Sequence, residues 1–121
     1  MAGNFYASAQ DVRLDGPVLI ARLRNENGDW EDAHIDLNRH IGNEDGRFVW
    51  HGENWFASAV DVEFRFEGAD NVPVLRALLR NRGGQLVPAD INLGERLINV
   101  DGHFDFQFVS CTNLDILRPN Y

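Results

Sequence analysis

Residues 17–50 read PVLIARLRNENGDWEDAHIDLNRHIGNEDGRFVW, and residues 73–106 read PVLRALLRNRGGQLVPADINLGERLINVDGHFDF. The two stretches align without a gap, with Pro17/Pro73, Asn25/Asn81, Gly28/Gly84, Ile35/Ile91, Leu37/Leu93, Asn43/Asn99, Asp45/Asp101, Gly46/Gly102 and Phe48/Phe104 as identities. Upstream the match continues at an offset of 50 rather than 56 residues, NFYASAQDV at 4–12 against NWFASAVDV at 54–62. The second copy is therefore longer by six residues near FEGADN, which reads as a longer hairpin loop. Self-similarity at such a spacing marks tandem repeats, here residues 4–53 and 54–106, followed by a C-terminal extension at 107–121. Repeats of about 50 residues are small for independent cores, so residues 1–121 are expected to form one domain with two pseudo-symmetric halves.

Periodicity within each copy is two. Leu19, Ala21 and Leu23 alternate with Ile20, Arg22 and Arg24, while Leu75, Ala77 and Leu79 alternate with Arg76, Leu78 and Arg80. Such alternation predicts half-buried strands. Val62, Phe64 and Phe66 are expected on one face, as are Phe48 with Trp50 and Phe104 with Phe106. Asn27-Gly28 and Gly83-Gly84 supply residues that accept the positive φ of tight hairpin turns. Ser8-Ala9-Gln10-Asp11 and Ser58-Ala59-Val60-Asp61 read as capping boxes that each open a single helical turn. Asp36 reads as the cap of a further short turn, with Leu37 and Ile41 on one face. The expected class is all-β with short helical turns.

Composition narrows the function. Hydrophobic content of 44% with 25% charged residues suits a folded chain, and a net charge of −8 repels a phosphate backbone. Neither nucleic acid nor membrane insertion is expected, since no stretch approaches a spanning length of about 18 apolar residues. The single cysteine, Cys111, excludes an intrachain disulfide, and no apolar leader is visible at the start; a cytoplasmic location is expected. His34, His40, His51 and His103 lack metal-ligand spacing, Asp29-Trp30-Glu31-Asp32 lacks that of a calcium loop, and Cys111 has no recognisable His partner motif. No metal or cofactor is expected. A glycosidase needs two carboxylates about 5–10 Å apart. Asp45 and Asp101, related by the repeat, should instead lie at separate sites, so the chain is not read as an enzyme.

The duplicated Asn-x-Asp-Gly has two readings. Asp-Gly alone makes a hairpin turn, and Asn43 with Asp45 also presents fixed donors and acceptors suited to vicinal sugar hydroxyls. Each repeat carries Ile-Asp-Leu-Asn or Ile-Asn-Leu followed by the Asn-x-Asp-Gly turn and an aromatic strand. In motif, repeat length and element order, residues 4–106 resemble the cyanovirin-N homology family of mannose-binding lectins.

That resemblance implies two halves, each a three-stranded antiparallel sheet plus a β-hairpin, with both repeats contributing to each half. It also implies two sugar sites at opposite ends, for α1,2-linked mannose of high-mannose glycans, bound by hydrogen bonds without metal. The first-turn site would use Asn43, Glu44, Asp45, Gly46, Glu53, Asn54, Ser58, Arg80, Asn81, Arg82 and Gly84. The second-turn site would use Asn4, Ala7, Ser8, Arg24, Asn25, Glu26, Asn99, Val100, Asp101 and Gly102. The family's half-cystines correspond to Ala9, Leu23, Ala59 and Leu79, so packing is expected to replace the crosslinks, as in fungal members. Ala7 and Ala57 stand where polar, sugar-contacting side chains occur, and each removes a possible hydrogen bond. The first-turn site, with Ser58, Arg80 and Arg82, is ranked the stronger. Expected partners are mannose-containing oligosaccharides or glycoproteins. A monomer is expected, with exchange through the junction His51-Gly52-Glu53-Asn54 open to a domain-swapped dimer. The alternative is a sugar-inactive protein-interaction domain on the same fold.

Overall fold

The computed structural model describes residues 5–107. Asn4, Cys111 and the rest of the extension at 108–121 lie outside the described residues. Among the described residues, ten strands form two three-stranded antiparallel sheets and two hairpins. The first sheet is β1 (Ala9–Asp15), β2 (Val18–Arg24) and β3 (Trp30–Asp36), and the first hairpin is β4 (Ile41–Glu44) with β5 (Arg47–Trp50). The second sheet is β6 (Ala59–Glu67), β7 (Val72–Arg80) and β8 (Leu86–Asn92), and the second hairpin is β9 (Leu97–Val100) with β10 (His103–Phe106). The all-β expectation and its sheet-plus-hairpin composition both hold. The longer loop of the second copy is a real hairpin extension: β6 and β7 run nine residues each where β1 and β2 run seven.

Each hairpin packs on the sheet of the other repeat, β10 against β3 and β5 against β8. Aromatic contacts pin them to the helical turns, Phe104 edge-on to Phe5 at 5.3 Å and Phe48 edge-on to Trp55 at 5.6 Å. One core results. Phe5, Leu19, Leu23, Leu37, Ile41, Trp55, Leu75, Leu79, Leu93 and Leu97 are all fully buried, each Leu contributing about 1.5–3 kcal/mol by area. Alternation in β2 and β7 thus selects the inward face as expected. Ala9 pairs with Leu23 and Ala59 with Leu79 in the ladders, so a small residue faces a large one at both positions that the resemblance matches to a crosslink.

The structure corrects one local expectation and refines two others. Ser8 and Ser58 do not open helical turns; they close the 3-10 turns Phe5–Ser8 and Trp55–Ser58, and Ala9 and Ala59 already begin strands. The Ser-x-x-Asp spacing arises because Asp11 and Asp61 sit at bulges in β1 and β6, with φ of 56° and 55°. Asp tolerates that left-handed conformation better than most residues. Phe66 lies edge-on to Phe64 at 5.4 Å, as a shared face requires, but at 41% exposed it stays at the surface while Val62 and Phe64 pack against the core. In the β2–β3 and β7–β8 turns only Gly28 and Gly84 of the paired residues use positive φ. Asp36 caps as expected, its Oδ1 accepting from the Asn38 N–H at 3.0 Å.

Candidate functional site

The Asn-x-Asp-Gly segments are two-residue hairpin tips. Asp45 and Gly46 have φ of 53° and 86°, Asp101 and Gly102 have 49° and 87°, and two consecutive positive values define the turn that matches strand twist. Glycine is also required by space. A Cβ on Gly46 would lie 2.4 Å from Val87 Cγ2, and one on Gly102 would lie 2.8 Å from Glu31 Cγ. Each tip is therefore pressed onto the turn and last strand of the other repeat's sheet.

Polar bonds lock that contact. At the first tip the Asn43 amide donates to Ser58 Oγ at 2.8 Å and to the Arg80 carbonyl at 2.8 Å, while its Oδ1 accepts from the Gly46 N–H at 2.8 Å. Asp45 Oδ1 accepts from the Arg82 N–H at 2.9 Å. The second tip repeats the pattern: Asn99 donates to Ser8 Oγ at 2.7 Å and to the Arg24 carbonyl at 2.9 Å, and accepts from Gly102 N–H at 2.8 Å. Asp101 Oδ1 accepts from the Glu26 N–H at 2.8 Å. Both amide protons of each Asn are thus committed, leaving one lone pair on its oxygen.

Behind the tips, the β2–β3 and β7–β8 turns are held by their own asparagines. Asn25 Oδ1 accepts from the N–H groups of Asn27 and Asp29, both at 2.9 Å, and Asn81 Oδ1 accepts from Gln85 N–H at 2.9 Å. Side chains around these turns make the two ends chemically different. Arg82 forms an ion pair with Glu44, and its Nη1 lies 4.0 Å from Asp45 Oδ2. The repeat-equivalent positions are Glu26 and Val100, the latter 47% exposed, so among the described residues no cation bridges the second tip. Arg80 Nη1 donates to the Gly84 carbonyl at 2.8 Å, whereas Arg24 lies 5.1 Å over the Trp30 ring.

Among the residues expected at the first-turn site, Asn43, Glu44, Asp45, Gly46, Ser58, Arg80, Asn81, Arg82 and Gly84 are gathered at the tip and the turn beneath it. Glu53 and Asn54 instead line a depression with Asp36, Asn38, Arg39 and His40. At the second-turn site Ser8, Arg24, Asn25, Glu26, Asn99, Asp101 and Gly102 meet; Val100 adjoins them on β9 and Ala7 is exposed on the helical turn. Missing from the sequence reading was the clamp itself. Its only linear signal is that each Asn-x-Asp-Gly is matched by a Phe-Ala-Ser or Tyr-Ala-Ser segment ending in the partner hydroxyl.

Two small sheets cross-braced by hairpins, with a polar clamp at each hairpin tip, define the cyanovirin-N-like class of all-β proteins. The family model for the CVNH domain matches residues 5–105, and the chain belongs to that family. A Cyanovirin-N homolog of Neurospora crassa is 42% identical over 110 residues, covering 87% of this chain and 99% of the relative. The NMR structure of GzCVNH from Gibberella zeae superposes with a TM-score of 0.82 at 42% identity, over 88% of this chain and 99% of that one. A MoCVNH3 variant, crystallised in complex with (N-GlcNAc)4, superposes with a TM-score of 0.77 at 27% identity, over 87% and 97% of the two chains.

Proposed function

We propose that the chain is a carbohydrate-binding lectin that performs no bond chemistry and recognises α1,2-linked mannose of high-mannose glycans by hydrogen bonding without metal. The observation that carries this reading is the clamp geometry: each end fixes a carboxylate, a Ser hydroxyl, turn carbonyls and an Arg at one exposed, rigid edge. Asp45 and Asp101 each accept a backbone N–H through Oδ1, and the second oxygen of each carboxylate is a further acceptor of the kind that a sugar hydroxyl requires. Rigid acceptors and donors bind vicinal hydroxyls without a further ordering cost. The (N-GlcNAc)4 complex of the MoCVNH3 variant supports an oligosaccharide as the ligand class.

The first-turn end is the stronger candidate, because Arg80 and Arg82 add cationic donors beside Glu44 and Asp45. A titration of the labelled chain with α1,2-linked mannobiose, followed by amide NMR, tests the reading: saturable shifts at Asn43 or Asn99 are expected. Silence at both turns at millimolar sugar overturns it. A second reading, a protein-interaction domain that has lost sugar recognition, draws on the commitment of both Asn amides to the clamps and on the exposed Ala7 and Ala57. Capture of a protein partner that excess mannoside fails to displace, together with silent turns, would favour it.

A further inference from the structure

The corner between the helical turn Leu37–Arg39 and the repeat junction holds a depression, and two positions beside it differ from their repeat equivalents. Asn38 aligns with Gly94, and Phe56 with Tyr6. Tyr6 packs so closely over Gly94 that a Cβ there would lie 2.7 Å from Tyr6 Cε1. In the first repeat position 38 carries an Asn side chain instead of a glycine. Its Oδ1 accepts from the Phe56 N–H at 3.1 Å, and its backbone carbonyl accepts from the Asn54 N–H at 2.9 Å. Phe56 turns instead toward the β1–β2 turn, its Cζ 4.0 Å from a Cβ built on Gly16, and remains 36% exposed. The depression, of about 650 Å³, is lined by Asp36, Asn38, Arg39, His40, Glu53 and Asn54.

Its lining holds unspent hydrogen-bonding groups, unlike the clamps. Among the described residues the Arg39 guanidinium, the Glu53 carboxylate, the Asn54 carboxamide and Asn38 Nδ2 bond to no neighbour, and Asp36 uses only Oδ1. Two carboxylates accept and a guanidinium with two carboxamides donates, a mixture complementary to hydroxyls, which do both. The size falls within the range of small-molecule sites. Asn54 is bridged to Gly42, the residue before Asn43, so the depression adjoins the first tip.

We propose that this depression is a saccharide subsite that holds a further sugar unit of an oligosaccharide whose terminal units sit at the Asn43–Asp45 tip. The inference rests on the lectin reading and assigns to Asn38, Arg39 and Asp36 a contact that a disaccharide at the tip does not reach.

The test is an amide NMR titration of the full chain with α1,2-linked mannobiose, α1,2-linked mannotriose and tetra-N-acetylchitotetraose. With either longer oligomer, the amides of residues 38–40, 53 and 54 are expected to shift on the same isotherm as Asn43. Arg39→Ala, at an exposed position, should weaken the oligomer at this end about tenfold, the effect of one lost charge-assisted hydrogen bond. Mannobiose binding, and any binding at Asn99, should be unchanged. Asn38→Gly combined with Phe56→Tyr copies the residues of the Tyr6–Gly94 contact, removes the Asn38 carboxamide from the lining, and should remove the oligomer's advantage in a chain that still folds. If the longer oligomers shift Asn43 while residues 38–40 stay silent and both variants bind normally, the subsite is refuted and the lectin reading stands. If no amide shifts with any of the three sugars, both fail together.

Discussion

The Asn99 side-chain amide donates to the Ser8 hydroxyl at 2.7 Å across 91 residues of chain, and Asn43 makes the same bond to Ser58 at 2.8 Å. These bonds close the hairpin of one repeat onto the sheet of the other. The residues that present the candidate ligand surface therefore also complete the tertiary fold, and their substitution should report on both.

Asn99→Ala removes two donated bonds and one accepted bond, all partly buried or at the tip's edge. The expected cost is about 2–4 kcal/mol in urea unfolding, at about 1 kcal/mol per bond plus the penalty for partners left unpaired. Asp101→Asn keeps an oxygen for the Glu26 N–H, so its cost should stay under about 1 kcal/mol. A loss of less than about 0.5 kcal/mol for Asn99→Ala would show that the clamp is not a stabilising element.

Gly52 and Gly42 stack at the junction between repeats. A Cβ on Gly52 would lie 2.8 Å from both the Cα and the N of Gly42, which are backbone atoms with no rotamer to yield. Gly52→Ala should lower stability by about 1–3 kcal/mol, as overpacking does. Gly83→Ala is the control: its nearest contact is 3.4 Å and its φ is not positive. Thermal unfolding should separate the two, with Gly83→Ala near wild type. Equal melting temperatures would contradict the packing argument.

Much of this fold was legible because local pattern and tertiary role agree. The alternation of Leu19, Ala21 and Leu23 needs only one buried face, and repetition of the pattern at Leu75, Ala77 and Leu79 makes it a second sheet. Asp45-Gly46 specifies its own turn. Ser8 and Ser58 mislead because a hydroxyl three residues before an acid looks like a cap whether or not a helix follows, and their true partners are distant asparagines. The left-handed Asp11 and Asp61 leave no mark in hydropathy. Nor could the depression at Asn38 be read from the chain, since it depends on how the turn Leu37–Arg39 and the repeat junction meet in space.

Trp55 is fully buried, and its Nε1 has no hydrogen-bond partner among the described residues. Phe5 fills the equivalent place in the other repeat. Trp55→Phe removes an uncompensated donor, worth about 1–3 kcal/mol, and opens a small cavity whose cost runs the other way. The two should nearly cancel, leaving the variant within about 1 kcal/mol of wild type, while Phe5→Ala should lose about 3–5 kcal/mol. Urea midpoints for the pair measure this. A Trp55→Phe loss as large as that of Phe5→Ala would mean the indole N–H is satisfied in solution.

His40 stacks on Phe106 with ring centroids 4.8 Å apart and planes 13° from parallel. Its pKa is held below the ordinary 6.5, first by burial; Asp36 and Asp105 pull it up, while Arg39 and His51 push it down. Between that lowered value and 6.5 the unfolded chain binds the proton more readily than the folded one. Stability must then rise with pH across this window and fall as pH drops through it, levelling once the folded imidazole is also protonated. Carboxylates titrating at lower pH are common to any comparison, so a variant isolates the histidine. Urea midpoints of wild type and His40→Gln at pH 7.5 and pH 5.5 should differ in their drop on acidification, with the larger drop in wild type. Equal drops would mean that the imidazole titrates alike in both states, and a larger drop in the variant would mean that Asp36 and Asp105 outweigh burial.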